Sequence, residues 1–396
     1  MKSHVQGILA QTDQTRTLSI DVFRGIAITA MILVNNPGSW STIYAPLKHA
    51  EWHGWTPTDL IFPFFVFIVG VSISLSLQAM HARSNAECKS EVLKKALIRT
   101  LKLILLGLFL AAFYYNFRVD SYNWWQNRIV EIRIPGVLQR LGLVYLACVA
   151  FALYCRNGVL VMIATVVLLS YTFALMHIPY SDGENTYVGL LLSGNNLAAF
   201  IDHVTFNSAH LYYQNAQPFA FDPEGILSTL PAVVSGLSGV VVGRWWLQQN
   251  SVFQFAQKLM VLGVVLTFSG LVLGELHPIN KALWTAPFVL LTTGLACIVF
   301  ALLTYCLDLK QWRLWSAPFV VFGANSLLFF IFAGIVARLL LMISIGEQSL
   351  KAWMFSRVYQ PLFGDYLGSL MYAIVFLLIS YSLFYALYKR RIFWKV

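Results

Sequence analysis

Apolar and polar residues alternate along this chain in long blocks, not in the period of two that marks a half-buried strand. Apolar blocks cover residues 18–34, 59–77, 96–113, 135–154, 159–176, 226–246, 256–273, 287–305, 319–342 and 367–388. Several reach about 18 residues with few charges, the length a helix needs to cross a bilayer. The pattern predicts an all-α polytopic transmembrane helical bundle of about 10 helices, or 11, embedded in the lipid bilayer. A closed β-barrel would show short alternating segments, and these blocks are continuous. They form a single transmembrane domain, residues 18–388, between a polar leader (1–17) and a basic tail (389–396).

Composition agrees with this reading. The chain is 58% hydrophobic and 11% charged, against roughly 25% charged for a soluble domain. The leader has no apolar core with a cleavage site behind it, so the first helix is expected to serve as the targeting signal. The net charge of +10 follows membrane topology and does not imply a nucleic-acid partner. Arg83, Lys89, Lys94, Lys95, Arg99 and Lys102 crowd one connection, and the tail reads KRRIFWKV. Residues 177–225, the longest hydrophilic segment, contain no Lys or Arg. The positive-inside rule then places both termini in the cytoplasm and residues 177–225 outside. For a bacterial multi-pass protein this means the inner membrane, with a periplasmic loop at 177–225. That loop is long enough to be partly ordered and to cap a site. The five cysteines show no CxxC pairing and read as small buried hydrophobes. A homodimer is left open.

The chemistry concentrates between Asn35 and Gly70, in NNPGSWSTIYAPLKHAEWHGWTPTDLIFPFFVFIVG. His49 and His53, four apart with Glu51 between them, suggest a metal pair. They sit in a Trp- and Gly-rich loop with no matched third ligand, so no metal is assigned. A histidine takes a proton near neutrality. The amide of Asn35 or Asn36 can hold an oxyanion, and Asp59 can fix a tautomer. Each of these residues alone reads as an ordinary loop or helix-end residue; their convergence singles out His49. Within the helices, Asp21 and Arg24 share a face as a structural ion pair or as the polar end of a cavity. Gln139, Arg140 and Asn325 are buried polar groups in need of partners. A transporter is the competing class, with helix breaks at Pro63, Pro135 and Pro231.

The stretches SIDVFRGIAITAMILVN, LKHAEWHGWTPTDLIFPFFVFIVG, GVLQRLGLVY, DPEGILSTLPAVVSGLSG, INKALWTAPFVL and GANSLLFF resemble the transmembrane heparan-alpha-glucosaminide N-acetyltransferase family and its bacterial glucosamine N-acetyltransferase members. The resemblance implies transfer of an acetyl group from cytoplasmic acetyl-CoA to the amine of a glucosamine-type sugar on the other side. It implies His49 as the catalytic histidine, Asn35 as the asparagine ending the first helix, and Asp59 as the aspartate of the T-x-x-D-L element. The chain departs from the family in NPGSW, which replaces a glycine-rich run, and in His53, where the lysosomal enzyme has an asparagine. With acetyl-CoA as the co-substrate, its phosphates are expected near residues 83–102, Arg244 or Lys258. Arg140, Gln139, Asn325, Trp284, Lys281 and Arg244 are assigned to its site. Direct transfer with His49 as base is preferred over an acetyl-histidine intermediate, since one pocket brings thioester and amine together.

Overall fold

The computed structural model describes Ile8, residues 17–83 and residues 89–394. Most of the expected leader, Cys88 and Lys395 lie outside the described residues. The principal helices are α1 (Leu18–Asn35), α2 (Pro57–Arg83), α3 (Lys89–Ala112), α4 (Val137–Tyr154), α5 (Asn157–His177), α6 (Leu197–Phe206), α7 (Ile226–Gln248), α8 (Val252–Gly274) and α9 (Ala286–Leu303). They continue with α10 (Ala317–Ala324), α11 (Ser326–Met342) and α12 (Asp365–Lys389). Among the described residues, strand is confined to three two-residue hairpin pairs in the connections.

Among the described residues, eight helices are long and apolar enough to cross a membrane, or nine if α10 and α11 count as one span. The expected number of ten includes residues 96–113. The helix there, α3, falls outside the eight or nine because Lys94, Lys95, Arg99 and Lys102 interrupt its apolar length.

Small residues decide how closely the helices approach. A Cβ at Gly70 would collide with the carbonyl of Gly236, and one at Gly239 with the carbonyl of Phe67. The α2 and α7 backbones therefore meet directly, as expected of small residues at membrane helix interfaces. Ser74 adds an interhelical hydrogen bond to the Val240 carbonyl at 2.8 Å. Pro63 and Pro231 lie inside continuous helices, so neither makes the break that the transporter reading placed there.

The break falls elsewhere. Residues 319–342, expected as one helix, divide at Asn325 with a bend of 75°. Side chains take over the interrupted backbone ladder. Arg24 Nε donates to the Gly323 carbonyl at 2.9 Å. Asn325 donates to the Ile392 carbonyl at 2.9 Å and accepts from the Trp394 amide at 3.0 Å. The tail is thus tied to the same end of the bundle as the start of α1, and Tyr388 Oη donates to the Ile8 carbonyl at that end.

The opposite end is roofed by residues 177–225, which are ordered as expected. They form the hairpins Tyr180–Ser181/Thr186–Tyr187 and Leu191–Leu192/Asn195–Asn196, followed by α6. Aromatic residues Tyr180, Phe219 and Phe221 pack with Tyr171 and Leu175 of α5 in a second, smaller apolar core.

Candidate active site

The roofed end is built around the start of α2. Thr56 precedes the helix, Pro57 opens it, and Asp59 stands in its first turn. Asp59 Oδ2 accepts from the Thr56 amide and from Thr56 Oγ1, both at 3.1 Å. This is the backward half of a capping box, with proline at a position where its missing N–H costs nothing. The Ala50 amide donates to the same oxygen at 3.0 Å, which draws the His49 loop onto the helix end.

Asp59 Oδ1 is left to face His49 Nδ1 at 2.6 Å. Asp59 is 1% exposed, whereas half of the His49 side chain is open. Lys281 Nζ lies 3.3 Å from Asp59 Oδ1 and 3.0 Å from His49 Nδ1. Nδ1 cannot both donate to the carboxylate and accept from the ammonium. The shorter contact makes Nδ1–H the donor to Asp59, and in that tautomer Nε2 is the accepting nitrogen.

Lys281 comes from the loop between α8 and α9. That loop is fastened to the His49 loop by Gly54 N–H to the Ile279 carbonyl and by Asn280 Nδ2 to the Trp52 carbonyl, both 2.8 Å. Trp52 Nε1 donates to the Leu191 carbonyl at 2.6 Å, joining the roof as well. The His49 loop, the loop between α8 and α9 and the roof therefore converge. Burial presses the Lys281 ammonium below its ordinary pKa, while Asp59 and Glu224 oppose that shift. His49 and His53 face different partners: His53 Nδ1 lies 3.4 Å from Asn280 Nδ2. No group of three or more His, Cys, Asp or Glu is placed to hold a metal ion among the described residues.

Behind this centre, Arg133 grips Asp222 through two bonds of 2.7 and 2.6 Å and Glu224 through one of 2.5 Å. Burial opposes its charge, but the two carboxylates outweigh burial and hold its pKa above the usual guanidinium range. Asp202 of α6 is buried and accepts from the Ile226 and Asp222 amides at 3.0 and 3.3 Å. Burial pushes its pKa up to about 7. This latch between the roof, the start of α4 and the start of α7 was not foreseen; its one sequence signal was the acidic pair in DPEG.

The other expected residues divide between two ends. Asn35, exposed at the end of α1, lines an outer cavity of about 830 Å³ with Gln139; His49 does not line it. Arg140 is buried, donates to the Gly225 carbonyl at 3.1 Å, and lies over the Trp284 ring at 5.3 Å. Among the described residues its Nε and Nη1 have no hydrogen-bond partner. Trp284 is buried and donates to Ser235 Oγ at 3.1 Å. Lys281, assigned from sequence to the donor, stands instead at His49 and Asp59. Arg244 caps the end of α4, donating to the Cys155 carbonyl at 2.9 Å and to Asn157 Oδ1 at 3.0 Å. Asn325 lines an inner cavity of about 1230 Å³ together with the Asp21–Arg24 ion pair, Lys95, Arg99 and Trp394. A narrower cavity of about 240 Å³ shares Arg24, Arg99 and Ser326 with it and reaches Leu103 and Leu141. The outer cavity begins one turn further along the same two helices, at Gly107 and Leu138.

Residues 16–273 match the family model described as heparan-alpha-glucosaminide N-acetyltransferase, catalytic. The chain belongs to this family. Two relatives carry the name heparan-alpha-glucosaminide N-acetyltransferase. The Homo sapiens protein is 29% identical over 80% of this chain and 52% of its own length. The Mus musculus protein is 27% identical over 98% of this chain and 61% of its own length. The chain thus spans between about half and three-fifths of these relatives. The family match covers both halves of the His49–Asp59 pair, Asn35, Arg140 and the Asp222–Glu224 latch. Lys281, Trp284 and Asn325 lie beyond it. As a family member with eight or nine candidate spans among the described residues, the chain is a polytopic membrane protein.

Proposed function

We propose that this protein transfers the acetyl group of acetyl-CoA to the amine of a glucosamine-type sugar, across the membrane. The donor enters at the end that carries the termini, and the acceptor at the roofed end. In a bacterium these are the cytoplasmic and periplasmic faces of the inner membrane. The distribution of basic residues supports this orientation. Counting α3 as a tenth span also supports it, since α3 runs from Lys95 at the inner cavity to Leu110 at the outer one, and an even count returns both ends to one face.

The observation that carries the reading is His49, bonded through Nδ1 to buried Asp59 while half of its side chain stays open. A sugar ammonium is largely protonated at neutral pH, so a base must remove its proton before the nitrogen attacks a thioester carbon. Nε2 takes that proton while Asp59 holds the ring and offsets the imidazolium charge. The N–C amide bond forms and the C–S bond breaks; of the two protons that leave the nitrogen, one returns from the ring to the departing thiolate and the second is released through the ring to solvent at its open side. Asn35 is the expected donor to the developing oxyanion. On the donor side, Arg24, Lys95 and Arg99 at the inner cavity suit the phosphates of CoA, and Trp246 and Trp394 suit its adenine. The narrow cavity between α1, α3, α4 and α11 suits the pantetheine arm. Arg244, already bonded to three backbone and side-chain acceptors, has the weaker claim.

The test follows the label of [acetyl]-CoA into glucosamine with purified protein. His49→Ala is expected to bind the donor and make no product. Full turnover in His49→Ala removes the mechanism, and labelled protein formed without acceptor replaces direct transfer by an acetyl-histidine route.

A further inference from the structure

The outer cavity holds two arginines that no carboxylate neutralises. Arg338 lies on α11 in an otherwise apolar run, and its Nη1 donates to the Gly334 carbonyl of its own helix at 2.9 Å. Arg128 lies in the connection before α4. Its Nε donates to Tyr122 Oη at 3.1 Å, and its guanidinium covers the Tyr114 ring at 4.5 Å. Both line the cavity. Among the described residues neither forms an ion pair with an acid. Arg133 on the same wall differs, because Asp222 and Glu224 hold it. Glu131 also lines the cavity, but it is exposed and pairs with neither arginine.

Like charges facing a shared, partly dehydrated space are costly unless something of opposite sign joins them. An arginine set within a membrane helix is ordinarily there for a ligand or a partner. The terminal nitrogens left over, Nη1 and Nη2 of Arg128 and Nη2 of Arg338, have no hydrogen-bond partner among the described residues. Guanidinium forks match the paired oxygens of carboxylate, sulfate or phosphate. The remaining wall is amide-rich, with Asn35 and Gln139, as sugar hydroxyls require, and about 830 Å³ is room for a small saccharide.

We propose that Arg128 and Arg338 form an oxyanion subsite for an acidic substituent on the acceptor, so that the protein prefers an acidic amino sugar to glucosamine itself. This rests on the acetyl-transfer reading for the identity of the ligand, but its test does not need turnover. Binding to the purified full chain is measured by calorimetry, without acetyl-CoA, for glucosamine, glucosamine 6-phosphate, glucosamine 6-sulfate and muramic acid. These share the amine and differ in the acid. At least one acidic sugar is expected to bind about tenfold or more tightly than glucosamine. That advantage is expected to shrink with added salt, to vanish in Arg338→Gln and in Arg128→Gln, and to return in part in Arg338→Lys. The ranking among the three acids identifies the source of the oxyanion. The proposal is overturned if no acidic sugar outbinds glucosamine. It is also overturned if the glutamine variants weaken all four sugars alike, or if they weaken CoA binding instead. Preserved binding contrast with no acetylated product from any sugar would overturn the acetyl-transfer reading and leave the subsite standing.

Discussion

Nδ1 of His49 and Oδ1 of Asp59 lie 2.6 Å apart, joining a half-open ring to a carboxylate that is almost wholly buried. The difference in exposure separates their work: the buried group holds and the open one reacts. Asp59→Asn keeps the shape but removes the charge that favours the imidazolium. Its kcat is expected to fall on the order of 10²- to 10⁴-fold, with the acetyl-CoA KM little changed. Steady-state kinetics check this; unchanged kcat would take Asp59 out of the mechanism.

Lys281 meets Asp59 at the same ring. Its ammonium lies 3.0 Å from Nδ1 and 3.3 Å from Asp59 Oδ1, so it joins the α8–α9 loop to the reacting pair. In Lys281→Met kcat is expected to fall on the order of tenfold, while Lys281→Arg keeps most of it, with the acetyl-CoA KM little changed in both. Full kcat in Lys281→Met would take the lysine out of the reacting centre.

Asp202 makes the roof sensitive to pH. Its folded pKa, about 7 through burial, stands above that of an exposed aspartate. Between roughly pH 4 and 7 the unfolded chain has released this proton while the folded one still holds it, so this group's contribution to stability declines as pH rises. Hydrogen-exchange protection factors across residues 197–226, corrected for the intrinsic pH dependence of exchange, are expected to be larger at pH 5 than at pH 7.5. Asp202→Asn is expected to flatten that difference.

Reporter fusions address the orientation. Fusions after residue 80 and after residue 396 are expected to read cytoplasmic, and fusions within residues 180–220 to read on the opposite face. A cytoplasmic signal from 180–220 would invert the assignment of donor and acceptor sides.

His49 and Asp59 were legible in the sequence because both lie in one continuous motif, and a capping box is a local device. The place of Lys281 was not, because its contact with His49 spans 232 residues and depends on how two loops meet. The bend at Asn325 left no trace in hydropathy. The apolar run there is continuous, and what stabilises the break is an arginine from α1 and the backbone of the tail. Arg133 and Asp222 are 89 residues apart. Each alone reads as a loop charge, and only the packed roof turns them into a latch. The division into apolar blocks needed none of this, since the length and continuity of a membrane helix are properties of the segment itself.

The direct meeting of α2 and α7 also bears on which sequence changes the protein can absorb. At Gly70 and Gly239 any side chain would have to displace a neighbouring backbone, and at Gly236 it would run into the Cys148 and Val144 side chains of α4, so even alanine is a large change at all three. Leu169 and Phe173 on α5, and Phe268 on α8, are more than 60% exposed on the bundle surface and need only stay apolar. Variation that accumulates under selection is therefore expected to be banded, permissive on the lipid-facing helices and nearly frozen along a strip where three residues have no side chain to exchange. Because α2 carries Asp59 at its other end, that strip is also where a change remote from the reaction would reach His49.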